Sequence, residues 1–245
     1  MKNISCLIFI PFLIFGCTST EKKKVNPLST IHVPSKVINF KQINIDTIPL
    51  HVSYSKTCEK IRKKKNSRDS LSNFLEEVLV NQIFPYWYGT PWDFNGHTDV
   101  PNEGEIACGY FVSTTLKHLG FNLNRYKLAQ LLPIHEAKTL SVGEPILEIQ
   151  NDNFEACLEK IKASLTEGIY FVGLDVSHVG FLLKRENYLF FIHSNYGSPA
   201  EVVIENAIKS NVFNSFRRFY ISKISTNQVL LNYWKTGKEI PIITE

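Results

Sequence analysis

Between Ser70 and Phe84 the apolar positions Leu71, Phe74, Leu75, Val78, Leu79 and Ile83 recur at steps of three and four. That spacing predicts one buried face of a helix, with Pro85 ending it. A helix is predicted from Cys108 to about Leu119, with Gly120 closing it in the left-handed position. Another runs from Asn153 to Leu165, its stripe formed by Phe154, Cys157, Leu158, Ile161 and Leu165, with Asp152 and Glu155 as a cap. Cys157 therefore belongs to the core. The period then shortens to that of strands: 169–174, 178–184, 188–193 and 216–224. The tight link between the second and third makes them a hairpin. Helices followed by antiparallel strands predict an α+β domain.

Two stretches lack such periodicity. The segment from Tyr86 to Glu105 is rich in Gly, Pro, Asn and Asp and reads as a long surface loop, a kind that is often functional. The basic run from Lys56 to Arg68 reads as a solvated helix face or loop, with contact to an anionic polymer as its functional alternative. No repeat of 20–50 residues is visible, which excludes a solenoid.

The chain opens with Lys2 and then an apolar run from Cys6 to Gly16. This run falls short of the roughly 20 residues that span a bilayer, and suits a secretory signal instead. Its end, Leu13-Ile14-Phe15-Gly16-Cys17, resembles a bacterial lipobox. That resemblance implies a signal peptide over 1–16, lipid attachment at Cys17 and a protein held on a membrane of the cell envelope. Residues 17–47 read as a flexible tether, and 48–245 as the folded domain.

Composition narrows the picture only a little. The 245 residues are 44% hydrophobic, enough for a real core. A net charge of +4 gives no argument for nucleic acid. Five cysteines without a C-x-x-C pair exclude a zinc ribbon and give no sign of a disulfide-dense scaffold.

Chemistry must therefore come from particular residues. Cys108 opens a helix directly after a loop, where free N–H groups and the helix dipole stabilise a thiolate. A thiol pKa of about 3.5–7.5 is expected there. Gly109 is read as leaving the approach uncluttered. His178, at the start of a strand, is the expected base. With a two-residue hairpin loop, His178 and His193 share a sheet face. A register sum of about 371 would set them directly opposite, and about 373 would put Asn195 opposite His178 with His193 diagonal. Either His193 or Asn195 then orients the imidazole. Asp93, Asp99 and His97 are plausible cleft residues from the loop.

These residues resemble the NlpC-type cell-wall cysteine peptidases, a branch of the papain-like superfamily. Gly89-Thr90-Pro91-Trp92-Asp93-Phe94-Asn95-Gly96 is similar to their G-T-P-Y-x-Y-G-G segment. Ile106 to Val112 stands where the family has D-C-S-G-L-V. His178-Val179-Gly180-Phe181 and Phe191-Ile192-His193-Ser194 are similar to its two histidine strands. The family's Asp before the nucleophile is Ala107 here, and its following Ser is Gly109. The resemblance implies a papain-like fold with the nucleophile helix packed on an antiparallel sheet. It implies Cys108 as nucleophile, His178 as base and His193 as orienting residue, with Trp92 lining the substrate cleft; Asp93, Tyr88 and Asn195 are further substrate-side candidates. It implies hydrolysis of amide bonds in peptidoglycan stem peptides by a monomer without a cofactor, and a helical insertion around 126–168. Four alternatives stay open: an amidase acting on the sugar–peptide link, a lipid-directed thioesterase or acyltransferase, a zinc site of Cys108, His178 and His193, and a degenerate wall-binding lipoprotein.

Overall fold

The computed structural model describes residues 53–67 and 70–244. The expected signal peptide, the whole of the expected tether and the lipidation site Cys17 lie outside the described residues. No helix among the described residues is long and apolar enough to cross a membrane.

The basic run is helical: α1 spans Tyr54–Lys64, capped by the Ser53 hydroxyl, and turns out its lysines. The helix expected from Ser70 onward is broken in an instructive way. α2 covers Leu71–Val78, a π turn covers Leu79–Ile83, and α3 covers Phe84–Trp87. Pro85 does not stop the run. The Phe84 N–H reaches back to Leu79, which widens the turn where a proline ring would otherwise strike the preceding coil.

α4 is Cys108–His118, and Gly120 takes φ +92° after it, as expected. Then come α5 (Arg125–Ala129), α6 (Pro133–Ser141), strand β1 (Leu147–Gln150) and α7 (Phe154–Ser164). The stretch expected as a helical insertion thus also holds a strand. α7 is capped by Asn153, whose side chain accepts the Ala156 N–H, and not by Asp152. The expected strands appear as β2 (Gly168–Leu174), β3 (His178–Arg185) and β4 (Tyr188–Ser194). β5 (Val202–Asn206), α8 (Asn211–Asn214), β6 (Arg218–Lys223) and α9 (Gln228–Thr236) complete the order.

The protein is α+β. Six strands form one antiparallel sheet in the order β1-β6-β2-β3-β4-β5. Both faces are covered, which is why β2 is buried along its whole length and reads as a continuous apolar run. One core joins Phe171, Phe181, Leu183 and Ile192 to Phe84, Phe111 and Leu140. The other joins Tyr170, Leu182, Phe191 and Phe219 to Phe154 and Ile161 of α7 and Phe213 of α8. The helix beginning at Cys108 packs on β3 and β4, with the Phe111 and Phe181 rings edge-to-face at 6.0 Å.

Candidate active site

The loop that delivers Cys108 is stitched at several points. Ile106 N–H donates to the Pro91 carbonyl at 2.9 Å and Ala107 N–H to Gly96 at 2.8 Å. Ser194 of β4 donates its hydroxyl to the Ile106 carbonyl at 2.6 Å. Buried Arg125 donates to the carbonyls of His97 and Thr98 and pairs with Asp99 at 2.7 Å. The backbone then enters α4 through an extended Ala107 with no side-chain cap. The first-turn N–H groups of α4 therefore remain available at Cys108.

Gly109 has a reason other than an open approach. A Cβ there would run into the Ala129 carbonyl at the end of α5. The serine of the resembling family has no room, because α5 occupies its place.

Cys108 is the first residue of α4 and His178 the first of β3. His178 and His193 share the sheet face of Leu182 and Phe191, opposite the face that α4 covers. His178 shares a cleft with the thiol because α4 and β3 both begin at it, and His193 stands behind His178. Cys108 and His178 line one cleft of about 480 Å³, together with Trp92, Phe94, Gln130 and Tyr196.

The hairpin settles the register. Arg185 pairs with Tyr188 and Phe181 with Ile192, so the sum is 373 and His193 lies diagonal to His178. His178 Nε2 is 2.8 Å from His193 Nδ1. His193 Nε2 is 2.9 Å from Glu205 Oε1, and Ser210 donates its hydroxyl to the same oxygen. Asn195 takes no part: its amide donates to Pro199 and accepts from Gly197, both at 2.8 Å, and so shapes the turn carrying Tyr196. Aromatic rings hold the imidazoles. Phe191 stacks on His193 at 3.9 Å, while Phe216 and Tyr196 flank His178.

These contacts dictate the tautomers. Burial alone would raise the Glu205 carboxyl, but hydrogen bonds from His193 and Ser210 outweigh it and hold it below the usual range. An ionised carboxylate only accepts, so His193 Nε2 carries a proton. Burial pushes His193 down, which keeps its ring neutral and makes Nδ1 an acceptor. His178 Nε2 must then donate, and its Nδ1 is left as the basic nitrogen. Burial, with His193 beside it, pushes His178 well below the ordinary histidine value.

The thiol departs from expectation. Burial raises Cys108 to about 11. The N–H groups of Val179, Gly109 and Cys108 itself pull it down, and the Glu136 carboxylate pushes it up. Both shifts favour a neutral thiol and a neutral imidazole at rest. Glu136 is buried in the first turn of α6, and its Oε1 has no hydrogen-bond partner among the described residues. Its own carboxyl is raised well above the usual range by burial.

Of the substrate-side candidates, Trp92 lines the cleft. Tyr88 packs against the core, Asp93 accepts the Asn95 N–H at 2.7 Å in a turn, and Asp99 is held by Arg125; none of these lines the cleft. His97 likewise bonds the Asn95 carbonyl, outside it. Sequence reasoning missed Glu205, Tyr196, Gln130 and Glu136. Only Tyr196, next to the flagged Asn195, carried a signal. As zinc ligands the three candidates fail on hydrogen bonding, because both ring nitrogens of His193 are engaged. No group of three potential ligands is placed to hold a metal ion among the described residues. No family model matches the chain, and no curated protein matches it either.

Proposed function

We propose that this protein is an exported, lipid-anchored thiol hydrolase of papain-like architecture that cuts amide bonds of peptidoglycan stem peptides. The observation that carries this reading is the relay Glu205–His193–His178, which leaves Nδ1 unprotonated on a histidine that lines the same cleft as Cys108.

In the reaction, His178 Nδ1 takes the Cys108 proton as the sulfur attacks the amide carbon. The helix-start N–H groups receive the developing oxyanion. The C–N bond then breaks, and the amine leaves with the proton from His178. Water, deprotonated by the same nitrogen, adds to the thioester and releases the acid, restoring the thiol. His193 and Glu205 hold the imidazole and balance its transient charge. A thiol that stays neutral at rest fits this order, because proton transfer accompanies attack.

The test is mass spectrometry of fragments released from purified cell wall by the wild type and by Cys108→Ala. Fragments from the wild type alone support the reading. Equal release by both variants, or none by either, removes it.

A further inference from the structure

The helix that starts at Cys108 ends at His118, about 15 Å away along its axis. His118 lines a second cavity, of about 680 Å³, between that helix end, α1 and residues 99–103 of the loop. Another of about 750 Å³ shares Arg62, Asp99 and His118 with it. The first has an aromatic wall. Tyr54 meets Tyr86, Trp87 and His118 at ring-centroid distances of 5.4, 5.7 and 5.5 Å.

Hydrogen bonding fixes what His118 offers. Trp87 Nε1 donates to the Tyr54 oxygen at 3.0 Å, and that oxygen lies 3.0 Å from His118 Nδ1. Asp99 stands at the other ring nitrogen, where its charge favours the proton, so Nδ1 accepts from Tyr54. Nε2 is 3.9 Å from Asp99 Oδ1, too far for a hydrogen bond, because Arg125 holds that carboxylate at 2.7 Å. The Nε2–H thus has no acceptor among the described residues. Beside it, Arg62 donates one N–H to the His118 carbonyl at 2.7 Å, which sets its guanidinium at the rim of both cavities.

The surrounding charge is positive. Burial, with Arg125, Arg62 and Lys117 close by, keeps the His118 ring below the ordinary histidine value against the pull of Asp99. Of the two acids on the wall, Asp99 is paired with Arg125 and Glu103 is exposed to water, where its charge is screened. Such a place suits a flat anion with two oxygens and an apolar tail. A phosphate monoester carries up to about two charges and would be opposed more strongly by both acids.

We infer that this cavity binds the free carboxyl end of a peptide, one oxygen taking the His118 Nε2–H, the other the Arg62 fork, with the last side chains against Tyr54 and Tyr86. It is a binding site and not a second active site: Cys58 in its wall is buried, and His118 Nδ1 is engaged by Tyr54. The inference stands whether or not Cys108 is a nucleophile, since the two sites lie at opposite ends of α4.

The test titrates the wild-type protein with acetyl-alanyl-alanine, in D and L forms, and with the same peptides ending in an amide. Binding is read by calorimetry and by the nitrogen NMR signal of His118 Nε2–H. The carboxylate peptide of at least one hand is expected to bind and to shift that signal, with its amide at least about tenfold weaker. Arg62→Gln and His118→Gln should each weaken binding to a similar extent, while alkylating Cys108 with iodoacetamide leaves it unchanged. If either variant loses its fold, the NMR shift in the wild type decides. No binding, equal affinity for the amide, or loss of binding on alkylation overturns the inference. Displacement of the peptide by inorganic phosphate at lower concentration overturns it too, in favour of a phosphate site. Cell-wall digestion is not read in this experiment, so the hydrolase reading stands or falls by its own.

Discussion

His193 Nε2 lies 2.9 Å from Glu205 Oε1, and this contact decides which nitrogen of His178 is a base. Replacing Glu205 with Gln keeps the shape but supplies an amide that can donate. The His193 tautomer can then reverse, which puts a proton on His178 Nδ1. Glu205→Gln is expected to lower kcat by about 10²–10⁴-fold with the fold intact. The check pairs cell-wall digestion with nitrogen NMR of the two imidazoles; unchanged turnover with unchanged tautomers would sink the relay.

The high thiol pKa predicts how Cys108 reacts with small electrophiles. A neutral resting thiol makes iodoacetamide alkylation climb about tenfold per pH unit until the pKa is reached, here about 11. A thiolate–imidazolium pair would instead give a plateau near neutrality, and observing that plateau would refute the neutral pair. Glu136→Gln removes a negative neighbour, so the midpoint of this curve should move down.

Glu136 also predicts a stability effect of definite sign. Its folded carboxyl is raised above the ordinary value of 4.5 by burial, and its Oε1 has no hydrogen-bond partner among the described residues. The folded chain therefore holds a proton that the unfolded chain releases. The stability from this linkage is full below 4.5 and is lost as pH rises toward the raised folded value, at up to about 1.4 kcal/mol per pH unit. Glu136→Gln cannot ionise, so its melting temperature should exceed that of the wild type more at pH 8 than at pH 5. An equal difference at both values would mean the carboxyl does not titrate across that range.

The two site histidines act in the opposite direction. Burial depresses both His178 and His193 below the ordinary histidine value. Below about 6.5 the unfolded chain takes up protons that the folded chain refuses. Their contribution is full above that pH and shrinks as pH falls toward their folded values. In the Glu136→Gln background, where the opposing carboxyl is gone, the melting temperature should fall between pH 7.5 and 5. A flat profile there would show that the imidazoles charge freely in the folded protein.

The sequence disclosed those parts of the site that follow from local rules. Strand periodicity and a two-residue turn placed His178 and His193 on one face, and a loop-to-helix change marked Cys108. Glu205 was hidden because β5 is a short edge strand with a half-buried run, Val202–Asn206, whose pairing to β4 is set by the sheet. β1 was hidden for the same reason, since it is defined only by β6, far along the chain. The cleft walls were hidden because Phe94, Gln130 and Tyr196 arrive from three separate loops. Pro85 misled because a π turn upstream can make room for a proline, and apolar spacing does not report backbone width.

Gly109 tests whether α5 fixed the residue after the nucleophile. Gly109→Ser restores the residue of the resembling cell-wall peptidases, and on their pattern alone it should be harmless. Here the new Cβ meets the Ala129 carbonyl, which is backbone and cannot rotate away. Either α5 shifts or α4 tilts, and both move a cleft wall, since Ala129 and Gln130 line it beside Cys108. Overpacking of this kind costs about 1–3 kcal/mol. The variant should therefore melt lower than the wild type and digest cell wall more slowly, in thermal unfolding and turnover measured side by side. Wild-type stability in Gly109→Ser would mean that α5 yields without cost, and that the glycine is not required by the fold.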